Sequence, residues 1–342
     1  MRTVPLGSDD TVSEFILGTM TFGTQTAPAE AHTKLDMAVD AGITWLDTAE
    51  MYPVNPIRPE TIGRTEEIIG DWIAAGGTGL RIATKHSGEG AHPRDGAPIT
   101  AESIPVTLEG NLKRLRVDTI DLYQFHWPNR GSFQFRKNWT YVPEGERAAI
   151  RQNFADCAGA LAREVERGTI RQFGLSNESA WGMMQWNAAA EATGGPRVVG
   201  LQNEYSLLAR LADTDIAETL VHEGITMLAF SPLAAGILTG KYQGGAIPDG
   251  SRRSVNDGLG GRWTDRLQPA VAAYLDLARA HGVDPVHMAL AWLRTRPFRC
   301  AAIIGASTTE QLEHELAGAD VTLSQELVAA IDETHKAHPM PY

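Results

Sequence analysis

Asp47, Tyr52, Lys85 and His126 supply an acid, a phenol, an ammonium and an imidazole, a set that can deliver a proton to a polarised carbonyl oxygen. A phenol titrates near ~10 in water, too high for reversible work near neutrality, so its pKa must fall. An ammonium beside the phenol oxygen stabilises tyrosinate and has that effect. A lysine in a partly dry pocket tends to lose its proton, and a carboxylate such as Asp47 keeps it charged. His126 can hydrogen-bond the same oxygen that Tyr52 protonates, orienting the substrate and relaying a proton. The carbonyl then becomes electrophilic enough to accept hydride. Taken singly, each residue has a plainer explanation: a turn cap, turn filler before Pro53, a solvated strand end, a satisfied core histidine. A barrel isomerase or aldolase with Lys85 as a Schiff-base amine is a further reading.

For these groups to act together, the chain must bring them to one place. From Phe15 onward, short apolar runs alternate with longer segments of helical period, the mark of repeated βα units and a parallel sheet. The runs are Phe15–Thr19, Ile43–Asp47, Leu80–Thr84, Ile120–Phe125, Ile170–Leu175, Val198–Gln202, Thr226–Phe230 and Ala301–Ile304. Eight such units close a barrel, and in a parallel barrel the reactive groups sit at the C-terminal ends of the strands. Asp47, Lys85 and His126 fall at the ends of the second, third and fourth runs, and Tyr52 follows the second. Helical spacing fills the gaps, as in Ala31, Leu35, Ala38, Val39 and in Leu108, Leu112, Leu115. Helices are expected over Leu267–Ala280, Pro285–Arg294 and Ser324–His335, the last with Ser324 as N-cap. Segments around Val4 and Val12 flank the polar turn Ser8, Asp9, Asp10 and predict a hairpin over residues 1–13. Two long connections, 128–150 and 234–263, read as active-site loops. No linker or composition shift divides the chain, so 1–342 is read as one α/β domain.

Composition narrows the function classes. Of 342 residues, 43% are hydrophobic and 21% charged, which suits a globular protein with a sizeable core. The formal charge of −12 repels phosphate backbones and anionic lipid, so neither nucleic acid nor membrane is the expected partner. An anionic cofactor can still bind through backbone N–H groups and a few local cations. Cys157 and Cys300 are far apart and lack redox or metal spacing, and MRTVPLGSDD lacks the apolar core of a secretion signal. A cytoplasmic location is expected.

Competing motifs fail on chemistry. No G-x-G-x-x-G turn follows an early strand, which disfavours an open dinucleotide-binding sheet. The stretch from Gly236 to Tyr242 is one residue short of a P-loop and ends in Tyr, without the hydroxyl that holds Mg²⁺. His86, His92 and His126 show no metal-ligand spacing, and no metal is expected.

LGTMTFG, LDTAEMYP, the ATK segment, DLYQFHWP, FGLSNES, LQNEYSLL, FSPLAAGILTGKY and IIGASTTEQL occur in this order. With these blocks the whole chain resembles the aldo-keto reductase superfamily, in its Tas-type branch with the related potassium-channel β subunits. The resemblance implies a (β/α)8 TIM barrel with an N-terminal hairpin at its bottom, binding NADPH across its top, with NADH as a weaker option. It implies that Asp47, Tyr52, Lys85 and His126 are the catalytic tetrad. By similarity, Ser176, Asn177 and Gln202 hold the nicotinamide carboxamide, Phe230 stacks on its ring, and Thr19, Met20 and Gln25 line the cofactor near the first strand. Ser231, Pro232, Leu233, Ala234 and Gly236 follow the pyrophosphate, with Lys241 and Arg252 as its cations. Gly305, Ser307, Gln311 and Glu315 match the site for the adenosine 2′-phosphate and adenine. Two departures stand out: Gln311 where many members carry Arg, and His314-Glu315 where many carry Glu-Asn. Met51, Tyr52, His126, Trp127, loop 128–150 and the chain end near Tyr342 are expected to shape the pocket for a small carbonyl substrate. The likeness to channel subunits also implies an alternative, an NADPH-binding regulatory subunit with slow turnover. Monomer and homo-oligomer both stay open.

Overall fold

A computed structural model describes the chain from Met1 to Tyr342. Strands β1 (Thr3–Leu6) and β2 (Asp10–Ser13) pair antiparallel with Val4 opposite Val12, forming the expected hairpin. Eight parallel strands follow: β3 (Phe15–Gly18), β4 (Trp45–Asp47), β5 (Arg81–His86), β6 (Ile120–Phe125), β7 (Ile170–Ser176), β8 (Val198–Gln202), β9 (Thr226–Phe230) and β10 (Cys300–Ile304). They hydrogen-bond in chain order and β10 pairs back onto β3, so the sheet is a closed (β/α)8 barrel of the TIM type. Ile43 and Thr44 lead into β4 without belonging to it, because the Thr44 N–H donates to the Ser13 hydroxyl of the hairpin at 3.0 Å.

Around the barrel lie α1 (Pro28–Asp40), α2 (Arg64–Ala74), α3 (Ser103–Leu115), α4 (Arg147–Glu166), α5 (Ala180–Thr193) and α6 (Asp215–Glu223). Between β9 and β10 come α7 (Arg252–Val255), α8 (Leu267–Ala280) and α9 (Pro285–Trp292); α10 (Thr309–Ala317) and α11 (Gln325–Ala337) complete the chain. The Ser324 hydroxyl caps α11 by accepting from the Leu327 N–H at 3.1 Å. Helix α9 stops short of Arg294 and tightens into a 3₁₀ turn over Leu293–Thr295. The two long connections carry more structure than expected. Residues 147–150 already belong to α4, and 234–263 contains tight 3₁₀ turns and α7.

Leu6 and Val12 of the hairpin pack with Ile16, Trp45, Ala83, Leu122, Leu228 and Ala301 inside the barrel's N-terminal end. The Trp45 indole N–H donates to the Thr11 carbonyl at 3.0 Å and the Thr226 hydroxyl to the Pro5 carbonyl at 2.6 Å. With its polar edges bonded, the hairpin plugs that end. A larger apolar shell between strands and helices includes Phe125, Phe173 and Trp186. The C-terminal ends of the strands are left to form a site. No helix is long and apolar enough to cross a membrane.

Candidate active site

Side chains alternate along a strand, so the parity that buries an apolar residue at the plugged end fixes which residue faces the interior two positions on. Trp45, Ala83 and Leu122 lie in the lower interior layer, and the same faces of β4, β5 and β6 present Asp47, Lys85 and Gln124 above them. His126 continues that parity one residue beyond β6. Tyr52 comes from the loop after β4, in a small buried cluster with Ala49 and Met51 that packs against Met20, Val54 and Trp127.

The structure brings the four expected residues together. Lys85 Nζ donates to Asp47 Oδ2 and to the Thr48 carbonyl, both at 2.7 Å. The Lys85 and Asp47 side chains are 0% and 4% exposed, so water cannot screen this pair and only hydrogen bonds can satisfy it. The other oxygen, Asp47 Oδ1, accepts from Gln202 Nε2 at 2.7 Å and from Gln124 Nε2 at 3.4 Å. Two donors of Lys85 are thus committed, and the ammonium lies 5.0 Å from the centroid of the Tyr52 ring. The His126 ring stands edge-on to Tyr52 with centroids 5.8 Å apart.

Burial is the largest influence on Lys85 and pulls its pKa down, but Asp47 and Tyr52 together outweigh it and hold the amine above its ordinary value. This ammonium is a poor Schiff-base nucleophile. For Tyr52 the balance goes the other way. Burial pushes the phenol up, Lys85 pulls it down by charge and hydrogen bonding, and Asp47 pushes it up again, leaving it above 10. The expected acidifying influence of Lys85 is present, and burial exceeds it. Burial, reinforced by Lys85, drives His126 well below the usual histidine range, so its imidazole is neutral at pH 7. Its Nδ1 is buried without a protein partner. His86 faces α3 instead, with ring nitrogens 2.9 Å from the Ser87 carbonyl and the Ser103 hydroxyl.

Ser176, Asn177 and Gln202 meet beside the tetrad. Ser176 Oγ donates to the Gln202 carbonyl at 2.8 Å, and Asn177 Nδ2 donates to the His126 carbonyl at 2.8 Å. Asn177 takes a left-handed backbone (φ +55°), and its Oδ1 is a buried acceptor without a protein partner. Such an orphaned acceptor fits the amide N–H of a nicotinamide carboxamide. Phe230 ends β9, half-buried at the barrel top, and the Thr19 hydroxyl donates to the Asp47 carbonyl at 2.9 Å. Gln25 reaches across to the Asn55 carbonyl at 3.4 Å.

After β9 the backbone curls through left-handed values at Ser231 (φ +52°), Ala234 (+49°), Ala235 (+58°) and Gly236 (+86°), with Pro232 and Leu233 between. A Cβ on Gly236 would come within 2.9 Å of Lys241 Nζ, so the curl holds the amine close against the backbone. Neither Lys241 nor Arg252 has a carboxylate within 4 Å. Burial lowers both cations, Lys241 against the pull of Glu315 and Arg252 to about 10. Arg252 also rests against Met20, 4.0 Å from its sulfur. Next to Gly305, the Ser307 N–H donates to Gln311 Oε1 at 2.9 Å. One turn further along α10, Glu315 is buried with Oε2 unpartnered, and burial lifts it to about 8 despite Lys241 and Lys34. Unpaired cations beside curled backbone fit a polyanion such as a dinucleotide's phosphates.

Two residues escaped the sequence reading. Lys34 is fully buried, its Nζ donating to the Ser307 carbonyl at 2.7 Å and to the Ala306 carbonyl and Thr26 hydroxyl at 3.1 Å. The signal was available, because Lys34 lies on the helix face that buries Ala31, Leu35 and Ala38. Glu204, just beyond β8, ties the two long connections together. It accepts from Arg136 at 2.8 Å, from Arg262 at 2.7 Å and from the Tyr342 hydroxyl at 3.3 Å. Spacing alone could not pair residues so far apart in sequence. Tyr342 is buried, with its hydroxyl donating to Glu204, so the chain end is tethered beside the two long connections. Trp127 stands 4.9 Å from the His126 ring, its indole N–H held by the Glu89 carbonyl at 3.0 Å. A mostly apolar cavity of about 380 Å³, lined by Phe125, Trp127, Ile150, Phe154, Leu175 and Trp186, lies between β6 and β7 and helices α4 and α5, on the outer side of the strands, and none of the four tetrad residues lines it.

A family model described as "Aldo/keto reductase family" matches residues 14–336. The chain is 41% identical to "Protein tas" of Escherichia coli (strain K12), over 96% of each chain. It is 32% identical to "Uncharacterized oxidoreductase YrpG" of Bacillus subtilis (strain 168), over 94% of this chain and 92% of that one. Similarity extends to the "Probable voltage-gated potassium channel subunit beta" of Arabidopsis thaliana, 30% identical over 88% of this chain and 85% of that one.

Proposed function

Since the chain belongs to the aldo/keto reductase family of oxidoreductases, we propose that it reduces aldehydes or ketones to alcohols, reversibly, with NADPH as its cofactor. The observation that carries this reading is the buried Lys85–Asp47 pair set against a buried phenol and a neutral imidazole. Bound there, the cofactor supplies hydride from nicotinamide C4. Tyr52 gives its hydroxyl proton to the carbonyl oxygen, and Lys85 stabilises the phenolate as it forms. Asp47 keeps Lys85 charged in a site that would otherwise strip its proton. Neutral His126 hydrogen-bonds the carbonyl oxygen and sets its angle of approach. Ser176, Asn177 and Gln202 orient the carboxamide, Phe230 covers the ring, and Lys241 and Arg252 meet the phosphates. Gln311, which cannot fork onto a phosphate as Arg does, leaves NADH as a weaker alternative. Met51 and Trp127 border the place of the small carbonyl substrate. The enzyme works in the cytoplasm, as a monomer or homo-oligomer, without nucleic-acid partners.

Tyr52→Phe tests this reading. Turnover is expected to fall by at least about 10²-fold while NADPH affinity stays within roughly twofold, since only the transition-state proton is lost. Full activity in that variant would refute the assignment. Because burial holds the Tyr52 phenol above its ordinary value, the wild-type reduction rate should stay level through neutrality and into the alkaline range, and a loss that sets in below the ordinary phenol range would contradict the assignment.

The Glu204 tie favours a second reading, a regulatory subunit that holds NADPH tightly and turns over slowly. Two connections fastened to one buried carboxylate slow any opening that cofactor release requires. Comparing steady-state turnover on a panel of aldehydes with the rate of NADP⁺ release separates the two.

A further inference from the structure

Away from the strand ends, Asp284, His287 and His314 meet where the start of α9 lies against α10, with one donor atom from each within 4.8 Å of the others. The bonds of His287 leave it one free ring nitrogen, while Asp284 Oδ2 and His314 Nε2 face each other. Asp284 caps α9, its Oδ1 accepting from the Val286 and His287 N–H groups at 2.8 and 3.2 Å, which leaves Oδ2 for another partner. His287 Nε2 lies 2.8 Å from the His314 carbonyl. A carbonyl only accepts, so that nitrogen carries the proton and Nδ1 keeps its lone pair. The His287 ring also lies close against Gly318, where a Cβ would approach it to 2.6 Å, so Gly318 leaves the space the ring occupies. His314 Nε2 lies 3.1 Å from Asp284 Oδ2, and its side chain is half exposed.

We propose that Asp284, His287 and His314 form a binding site for a divalent transition-metal ion of the Zn²⁺ class. Two imidazoles and one carboxylate suit Zn²⁺ and its neighbours, not Mg²⁺ or Ca²⁺, which need oxygen shells. An imidazole that donates its other N–H to a backbone carbonyl is oriented as metal-bound histidines are, and the cap does the same for the carboxylate. Tetrahedral Zn²⁺ at ~2.0 Å from its ligands sets them ~3.3 Å apart, so the three side chains must draw in from their present spread of up to 4.8 Å. Water completes the coordination. The ion would staple α9 to α10, the helix that also carries Gln311 and Glu315.

Titration of the chelator-treated full chain with Zn²⁺, followed by calorimetry, is the test. One equivalent is expected to bind and to raise the melting temperature. His314→Ala should weaken binding at least about tenfold and remove the thermal shift. Asp284→Asn keeps the helix cap while removing the anionic ligand, and should also weaken binding. Circular dichroism of both variants confirms that the fold is kept. Equal Zn²⁺ binding by wild type and His314→Ala, or no saturable binding at one equivalent, overturns the proposal.

Discussion

Charge is handled in opposite ways at the two ends of the site. Around β4 and β5, the Lys85 ammonium is matched by Asp47 at 2.7 Å, and the remaining carboxylate oxygen is satisfied by Gln202 and Gln124. Around β9 and β10, Lys241 and Arg252 have no carboxylate partner, and Glu315 is buried with a free oxygen. The paired end holds Lys85 above its ordinary pKa; the unpaired end drags its cations down and its acid up. A buried charge matched within the chain is set before substrate arrives, which is what transition-state stabilisation needs. Charges left unmatched weaken the protein alone and are repaid by an anionic ligand, which is what binding needs. Chemistry is therefore built into the first end, and affinity into the second.

The hardest way to break this contrast is Asp47→Asn. It leaves Lys85 buried without its counter-charge, so stability should drop by roughly 3–5 kcal/mol and turnover by about 10²-fold or more. Chemical denaturation and steady-state rates measure both. The pH dependence has a definite sign. Lys85 sits above its unfolded value, so its contribution is complete below ~10.4 and is lost as pH rises through the folded pKa. In Asp47→Asn that alkaline loss should move toward neutrality.

Lys241→Met makes the opposite demand. If this end is unpaired, removing the cation costs the free protein nothing, because burial already disfavours its charge. The melting temperature should hold or rise while NADPH binding weakens about 10- to 50-fold, the scale of one charge-assisted phosphate contact. A fall in stability with unchanged affinity would show that Lys241 has a structural partner and that the contrast is wrong.

The paired end was legible in the sequence and the unpaired end only in outline. Asp47 closes a short apolar run, and Lys85 and His126 directly follow two others, so the strand ends could be read and the barrel placed the side chains together. Tyr52 followed from its loop position. The buried acceptors of Asn177 and Glu315 depend on how loops curl, which no periodicity encodes. Lys34 stood in plain sight, a lysine on an apolar helix face, yet its partners at Ala306 and Ser307 lie at the far end of the chain. Glu204 is the extreme case, since Arg136 and Arg262 come from loops whose lengths hide any register. The expected acidic phenol erred for a related reason: sequence shows that an ammonium is near but not how dry the site is.

Gln311→Arg sharpens the comparison at the unpaired end. Gln311 now spends its side-chain oxygen on the Ser307 N–H and brings no charge. A guanidinium there should raise the preference for NADPH over NADH by about tenfold, by forking onto a 2′-phosphate. The ratio of kcat/KM values for the two cofactors reads this out. An unchanged ratio would place the 2′-phosphate elsewhere.

The smallest effect is expected from Glu315, and it turns on sign. Burial lifts this carboxyl to about 8, well above the ~4.3 of a free glutamate, so at pH 7 it carries a proton and no charge. Its favourable contribution to the folded state is therefore full below ~4.3 and is lost as pH rises through 8. Above that pH it becomes an anion beside Lys241 and Lys34, competing with a phosphate for the same cations. A phosphate monoester is already doubly ionised there, its second pKa being ~6, so the ligand does not change charge over the interval. NADPH affinity should accordingly weaken a few-fold between pH 7 and pH 9, and Glu315→Gln should flatten the curve. Lys241 is lowered too, and its own deprotonation would weaken binding in the same direction. The variant separates the two sources: a slope that survives Glu315→Gln belongs to the lysine, and a slope that disappears belongs to the acid.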